Sequence, residues 1–423
     1  MIDDDFYSFY EENNISELLI KSRQAYDEKR LEKMRYSEEE FDLLIHHYST
    51  QMEDGIVYIL ARIGFEQHPY SIELMIRYAD ALIMNRELDK AEELLVQQHS
   101  FDSLNSDITL LLGRIYIRRG EDDKALECIQ EAVAMANDET VEMLLSVSQD
   151  YIDIDKYDKA VPLLKMADKF SPNNTDVIND IAFCYERLGN ISESLYWYEK
   201  YIETDPFNDN VWFNIGTIYS LLADPKKANE AFDYALALNE NNSSVLFNKA
   251  IMLSNIGKYD EAIDYFNHFL KLEPDTPSAI NGIADAYLGK EKIGEAIRYY
   301  TLTLSLDADN SDAHCGMAYI KMTEYGFENA LDHLRRVNWE RVSDYFFLTA
   351  ILNDTFKLTN NPEFLVYSLV TLHYVKDAYL FDVYLETLVL IDESYLTLLI
   401  KLLPSLDNEM FKSGIKKIKE NLI

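Results

Sequence analysis

Glycine and proline are scarce in this sequence, 13 and 9 among 423 residues. A chain of many short strands needs frequent turn formers and strict polar–apolar alternation, so their absence argues against β structure and for helices. Cations are scarce too: 39 Lys and Arg stand against 75 Asp and Glu, a formal charge of −36. That balance excludes nucleic acid and anionic membranes as natural partners, because both bind through neutralised phosphates. It favours a neutral or basic protein segment. The three cysteines, Cys128, Cys184 and Cys315, are odd in number and far apart. They read as free thiols in helices, not as disulfides or a metal site.

Targeting and catalytic signatures are missing as well. The first residues, Met1-Ile-Asp-Asp-Asp, are acidic where a signal peptide carries a positive charge and then an apolar run. No stretch reaches the roughly 18 apolar residues of a membrane span, so the expectation is a cytoplasmic chain without membrane insertion. His46 and His47 are adjacent and project from different parts of a helix, unlike the i, i+4 pair of a zinc helix. His314 and Cys315 are likewise neighbours, with no second ligand at metal-binding spacing. Glycine-rich phosphate loops and nucleophile elbows do not occur. The expectation is a non-enzymatic protein with no cofactor.

What the chain does contain is one unit written many times. Trp212, Ile215, Gly216, Tyr219, Ala228 and Phe232 fall at set spacings, and 34 residues later the same slots hold Leu246, Lys249, Ala250, Leu253, Ala262 and Phe266, with Pro274 closing the copy. A third copy places Ile280, Ile283, Ala284, Tyr287, Ala296 and Tyr300 in them. Extending the register predicts nine copies, starting near Glu38, Ile72, Ser106, Val141, Thr175, Asp209, Ser243, Pro277 and Ser311. One slot then reads Ala79, Gly113, Ser148, Ala182, Gly216, Ala250, Ala284, Ala318. A second reads Ala91, Ala125, Ala160, Ser194, Ala228, Ala262, Ala296, Ala330. Small residues are needed where two helices cross at close range. Gly120, Gly189 and Gly257 fall at the turns inside copies, and Pro69, Pro172, Pro206 and Pro274 between copies.

Trp-x-x-Ile-Gly-x-x-Tyr, then Ala-x-x-x-Phe, then Pro resembles the tetratricopeptide repeat (TPR). The resemblance implies an all-α, right-handed superhelical solenoid of about nine helix-turn-helix repeats with helical caps. It covers residues 38–344, after an acidic tail and capping helix at 1–37 (residues 1–14 being the tail) and before degenerate helical hairpins and an amphipathic capping helix at 345–423. In this family the first helices of successive copies line a concave groove that binds peptides. Carried onto matching positions, the groove would hold Asn179, Asp180, Phe183 and Arg187 in one copy. The next copies would add Phe213, Asn214 and Thr217, then Phe247, Asn248 and Ile251, then Asn281 and Asp285. Asparagine amides both donate and accept, so they suit an extended backbone, while Phe213 and Phe247 would supply apolar pockets. Lysines that could grip a chaperone's terminal carboxylate are missing from these slots, although Arg114 and Arg118, one turn apart, suggest a local anion site. The function expected is an interaction scaffold holding a protein or peptide segment. The alternatives are an assembly subunit using its convex face, ends or self-association, and less so an enzyme's regulatory arm.

Overall fold

The structure, a computed structural model, describes residues 4–99, 105–136, 140–343, 345–406 and 408–421. Among these residues the regular structure is helical throughout. The chain divides into two units, Met1–Pro206 and Phe207–Ile423.

The first unit opens with α1 (Asp4–Asp27), followed by five hairpins. These pair α2 (Glu38–Thr50) with α3 (Asp54–Gln67), and α4 (Ile72–Met84) with α5 (Leu88–His99). The next pairs are α6 (Ser106–Arg119) with α7 (Asp122–Met135), α8 (Thr140–Asp153) with α9 (Tyr157–Phe170), and α10 (Thr175–Arg187) with α11 (Ile191–Thr204). In the second unit α12 (Asp209–Leu221) pairs with α13 (Pro225–Leu238), and α14 (Ser243–Asn255) with α15 (Tyr259–Leu272). Then α16 (Pro277–Gly289) pairs with α17 (Ile293–Leu306), and α18 (Ser311–Ile320) with a shortened α19 (Glu328–Leu334). Five helices complete this unit: α20 (Phe346–Thr359), α21 (Pro362–Tyr374), α22 (Ala378–Asp392), α23 (Leu396–Leu402) and α24 (Glu409–Asn421).

Eight of the nine first helices begin at the residue the repeat register names, and α8 begins one residue earlier, at Thr140. Asparagine caps explain much of that agreement. The side chains of Asn105, Asn174, Asn208, Asn242 and Asn310 each accept from backbone N–H groups in the first turn of the helix that follows, satisfying donors that a helix start leaves orphaned. Within each of the first eight hairpins one residue turns left-handed: Met52, Arg86, Gly120, Asp155, Gly189, Ala223, Gly257 and Glu291 all have φ between 55° and 78°. Glycine does this without strain at three of those turns.

Both small-residue slots are wholly buried from Ala79 to Ala330. A second close approach links successive hairpins in the second unit. A Cβ on Gly282 would lie 2.4 Å from Cζ of Phe266, and one on Gly316 would lie 2.2 Å from Cζ of Tyr300. Each ring on a second helix thus sits against a glycine in the next first helix, and each ring is fully buried. Burying an aromatic side chain contributes roughly 1.5–3 kcal/mol, and a methyl group there would displace it.

Two boundaries differ from expectation. α1 starts at Asp4, so the acidic, aromatic stretch expected as a tail is helical in its backbone, and the capping segment instead breaks at Glu28–Arg30, after which Leu31–Lys33 forms a 3-10 turn. The ninth hairpin is interrupted by a π-helical turn, Lys321–Tyr325. Beyond it the chain packs around Trp339, Phe364, Tyr367 and Leu388, with Asn360 left-handed and Asn361 capping α21 ahead of Pro362. These are the helices and the break expected from the apolar spacing of that region.

Candidate peptide-binding surface

In the first unit the row of first helices is cross-linked by charge. Arg77 on α4 donates to Asp42 on α2 at 2.8 Å. Arg114 on α6 donates forward to Asp150 on α8, Nε to Oδ2 at 2.5 Å, and backward to Asp80 on α4. Arg118 donates to Asp150 at 2.7 Å and to Asp153 at 3.4 Å. The Asp150 side chain is only 2% exposed. The anion site suggested by Arg114 and Arg118 is therefore filled from within the chain, and two guanidinium groups share one buried carboxylate.

On α10, Asn179 and Asp180 are half-buried while Phe183 and Arg187 are exposed. Burial pushes the Asp180 carboxyl up to about 6, against a hydrogen bond from the Asn179 side chain. Phe183 and Arg187 are both tied to Tyr157 of α9: the phenylalanine ring meets it edge-on at 6.0 Å, and the guanidinium lies 5.6 Å from the ring centre with Nε donating to the hydroxyl at 3.3 Å.

In the second unit the candidate residues separate into two sets. Asn214 on α12 is half-buried and its amide makes no hydrogen bond among the described residues. Asn248, in the same slot of α14, donates one N–H to the Ser244 carbonyl at 2.9 Å and leaves its oxygen open. Ile251 is exposed beside it. Thr217 donates to the Phe213 carbonyl at 3.0 Å, which occupies its hydroxyl proton. Phe213 lies 6.3 Å from Phe232, and Phe247 lies 5.7 Å from Phe266 and 5.3 Å from Phe269. Both rings are half-buried against the second helix of their own hairpin, so packing claims most of their surface.

Asn281 does not belong with the exposed amides. It is 6% exposed, its Nδ2 donates to Asp285 at 2.9 Å, and its oxygen is buried without a partner. Asp285 also accepts from the fully buried Tyr300 hydroxyl at 2.5 Å. The reason is rotational: the slot one residue before Asn214 and Asn248 turns toward the seam between helices, where Phe213, Phe247 and Cys315 also lie. Asn281 braces Asp285, which links the two helices of the hairpin through Tyr300, and presents no amide to a ligand.

Two further groupings were not legible in the spacing of the sequence. Lys249 occupies a core slot that is apolar in the neighbouring copies; its ammonium pairs with Asp233 and lies 4.7 Å from the Tyr265 ring centre. His314, 2% exposed, meets His333 across 19 residues, Nδ1 to Nδ1 at 2.9 Å, while its Nε2 is 3.1 Å from the Ala308 carbonyl. The Nε2–H of His314 donates to that carbonyl, so its Nδ1 accepts from His333. Burial pushes the Cys184 thiol up to about 12, far from the depressed values of nucleophilic cysteines. Among the described residues no helix is long and apolar enough to cross a membrane.

Paired antiparallel helices with buried small-residue crossings define a helical-hairpin repeat protein. Models of the tetratricopeptide repeat match residues 109–141, 209–242, 231–264 and 253–313. The chain belongs to the tetratricopeptide-repeat family. Human cilia- and flagella-associated protein 70 is 25% identical over 170 residues, which is 40% of this chain and 15% of that protein. The chain therefore matches only a small part of that relative's length. Among solved structures, the C-terminal part of a TPR repeat-containing protein from Cytophaga hutchinsonii aligns with a TM-score of 0.48 at 19% identity, over 57% of this chain and 99% of that one. A tetratricopeptide repeat protein from Parabacteroides merdae aligns with a TM-score of 0.44 at 20% identity, over 60% and 99%.

Proposed function

We propose that the chain is a non-enzymatic, cytoplasmic interaction scaffold that holds an extended protein segment against the first helices α12 and α14. One observation carries the reading: Asn214 and Asn248, 34 residues apart in one slot, keep amide capacity that neither packing nor intrahelical bonding consumes. An open side-chain carbonyl accepts a peptide N–H, and a second, unspent N–H donates to a peptide carbonyl. Exposed Ile251 and Leu221 offer apolar contact on either side. The acidic composition selects a neutral or basic segment.

The test uses arrayed, unstructured 12-residue peptides of neutral to positive charge. The variant carrying Asn214→Ala and Asn248→Ala should lose at least tenfold in affinity for captured peptides while keeping its thermal midpoint. Asn281→Ala should show the reverse pattern, a lower midpoint with retained affinity. Undiminished capture by the double variant would overturn the groove reading.

A further inference from the structure

Helix α22 leaves an apolar face uncovered. Leu385 and Leu388 are buried, and Phe381 and Tyr384 pack half-buried against the C-terminal core. On the other side Tyr379, Leu380, Val383, Leu390 and Ile391 are all exposed, Tyr379 by 77% and Leu390 by 62%. At 3.6 residues per turn these five fall with Thr387 in one arc of roughly 120°. An arc that wide is what an amphipathic helix ordinarily turns toward a core, and a contiguous exposed patch of this kind marks a contact surface.

The edge of the arc is charged with one sign only. Asp382 and Glu386, one turn apart, are both exposed and form no ion pair among the described residues. Like charges at this spacing repel. The helix contains no Lys or Arg, whereas the outer helices α13, α15 and α17 mix their exposed leucines with Lys226, Lys271 and Arg298.

We infer that this face docks an amphipathic helix of a partner protein, with a Leu or Ile stripe over Tyr379, Val383 and Leu390 and Lys or Arg residues along the edge occupied by Asp382 and Glu386. A cation between those carboxylates relieves their repulsion, and the apolar stripe covers the arc. A second copy of this chain fits poorly, since it would bring two more carboxylates to the same edge. The inference is independent of the groove on α12 and α14.

The experiment measures binding of a synthetic 18-residue helix, Leu at i, i+3, i+4 and i+7 and Lys elsewhere, to the full chain by fluorescence anisotropy. A scrambled peptide of the same composition controls for attraction to the acidic surface at large. Val383→Ser with Leu390→Ser should weaken binding at least tenfold without altering its salt dependence. Asp382→Asn with Glu386→Gln should weaken it a few-fold and flatten the salt dependence. These positions are exposed, and an unchanged helical circular-dichroism signal verifies each variant. Equal binding of the scrambled peptide, or wild-type affinity in both variants, overturns the proposal. So does a dimer in light scattering that Val383→Ser with Leu390→Ser dissociates, because the face would then be covered by a second copy.

Discussion

Arg114 joins its helix to the next through Asp150, Nε to Oδ2 at 2.5 Å, with the carboxylate buried. Removing one partner of a buried pair strands the other charge, at about 3–5 kcal/mol. Arg118 still pairs with Asp150 at 2.7 Å, so Arg114→Ala should lower the unfolding free energy by less than that, about 1–3 kcal/mol, in urea titrations. Replacing both partners, Arg114→Met with Asp150→Leu, should recover most of the loss. Arg118, left without its main acceptor in the double variant, sets the remainder.

Gly316 faces the Tyr300 ring, and an added Cβ would lie 2.2 Å from Cζ. Gly316→Ala should destabilise the second unit by about 1–3 kcal/mol, the range for overpacking. Combining it with Tyr300→Leu should cost less than the sum of the single changes, because the methyl then occupies space the ring has left. A double-mutant cycle by chemical denaturation reads the coupling.

Ala223 holds the turn between α12 and α13 at φ 55°. A left-handed backbone costs a residue with a Cβ about 1–2 kcal/mol, partly offset by the extra unfolded-state freedom of glycine. Ala223→Gly should therefore raise stability by roughly 0.5–1 kcal/mol. Gly257→Ala, at the equivalent turn with φ 78°, should lower it by a similar amount.

Asp180 has its carboxyl pushed up to about 6 by burial. A raised carboxyl favours the folded state fully below its unfolded value near 3.9, and the contribution is lost as pH rises through 6. Asp180→Asn should thus be more stable than the natural chain at pH 7.5, by about 1–2 kcal/mol once partial exposure is discounted. The two should converge near pH 4.

His333 shifts the opposite way. Burial and then the neighbouring His314 push it down to about 4, and burial lowers His314 as well. Facing them are the Ala308 carbonyl, cationic Lys321 and Arg336, and anionic Asp307, Asp309 and Asp332. The unfolded chain takes up protons near pH 6.5 that the folded pair refuses, so stability is full above that pH and falls as pH drops toward 4. His333→Gln should flatten that slope in unfolding measured at pH 7.5, 6 and 5.

The repeat register was legible because close helix crossings tolerate only small side chains, and 16 such slots recur in order. What escaped the sequence is contact between residues that do not share a slot. Arg114 and Arg118 looked like an open anion site because their acceptor, Asp150, comes from the following copy. Asn281 resembled its neighbours Asn214 and Asn248 in type, but one position along a helix turns a side chain by about 100°, here from the surface into the seam. The glycines facing Phe266 and Tyr300 left a trace that could have been read, each 16 residues beyond its ring. Met52, Arg86, Asp155, Ala223 and Glu291 left none, since the turn geometry imposes their backbone and five different residue types accept it.

The asparagine caps make the hairpin boundaries that carry them interchangeable. Asn208 and Asn242 perform the same task at the starts of α12 and α14, so excising residues 209–242 would leave Asn208 beside Ser243 with its capping role intact. Such an array can be shortened or lengthened in whole hairpins, at joints that already fit.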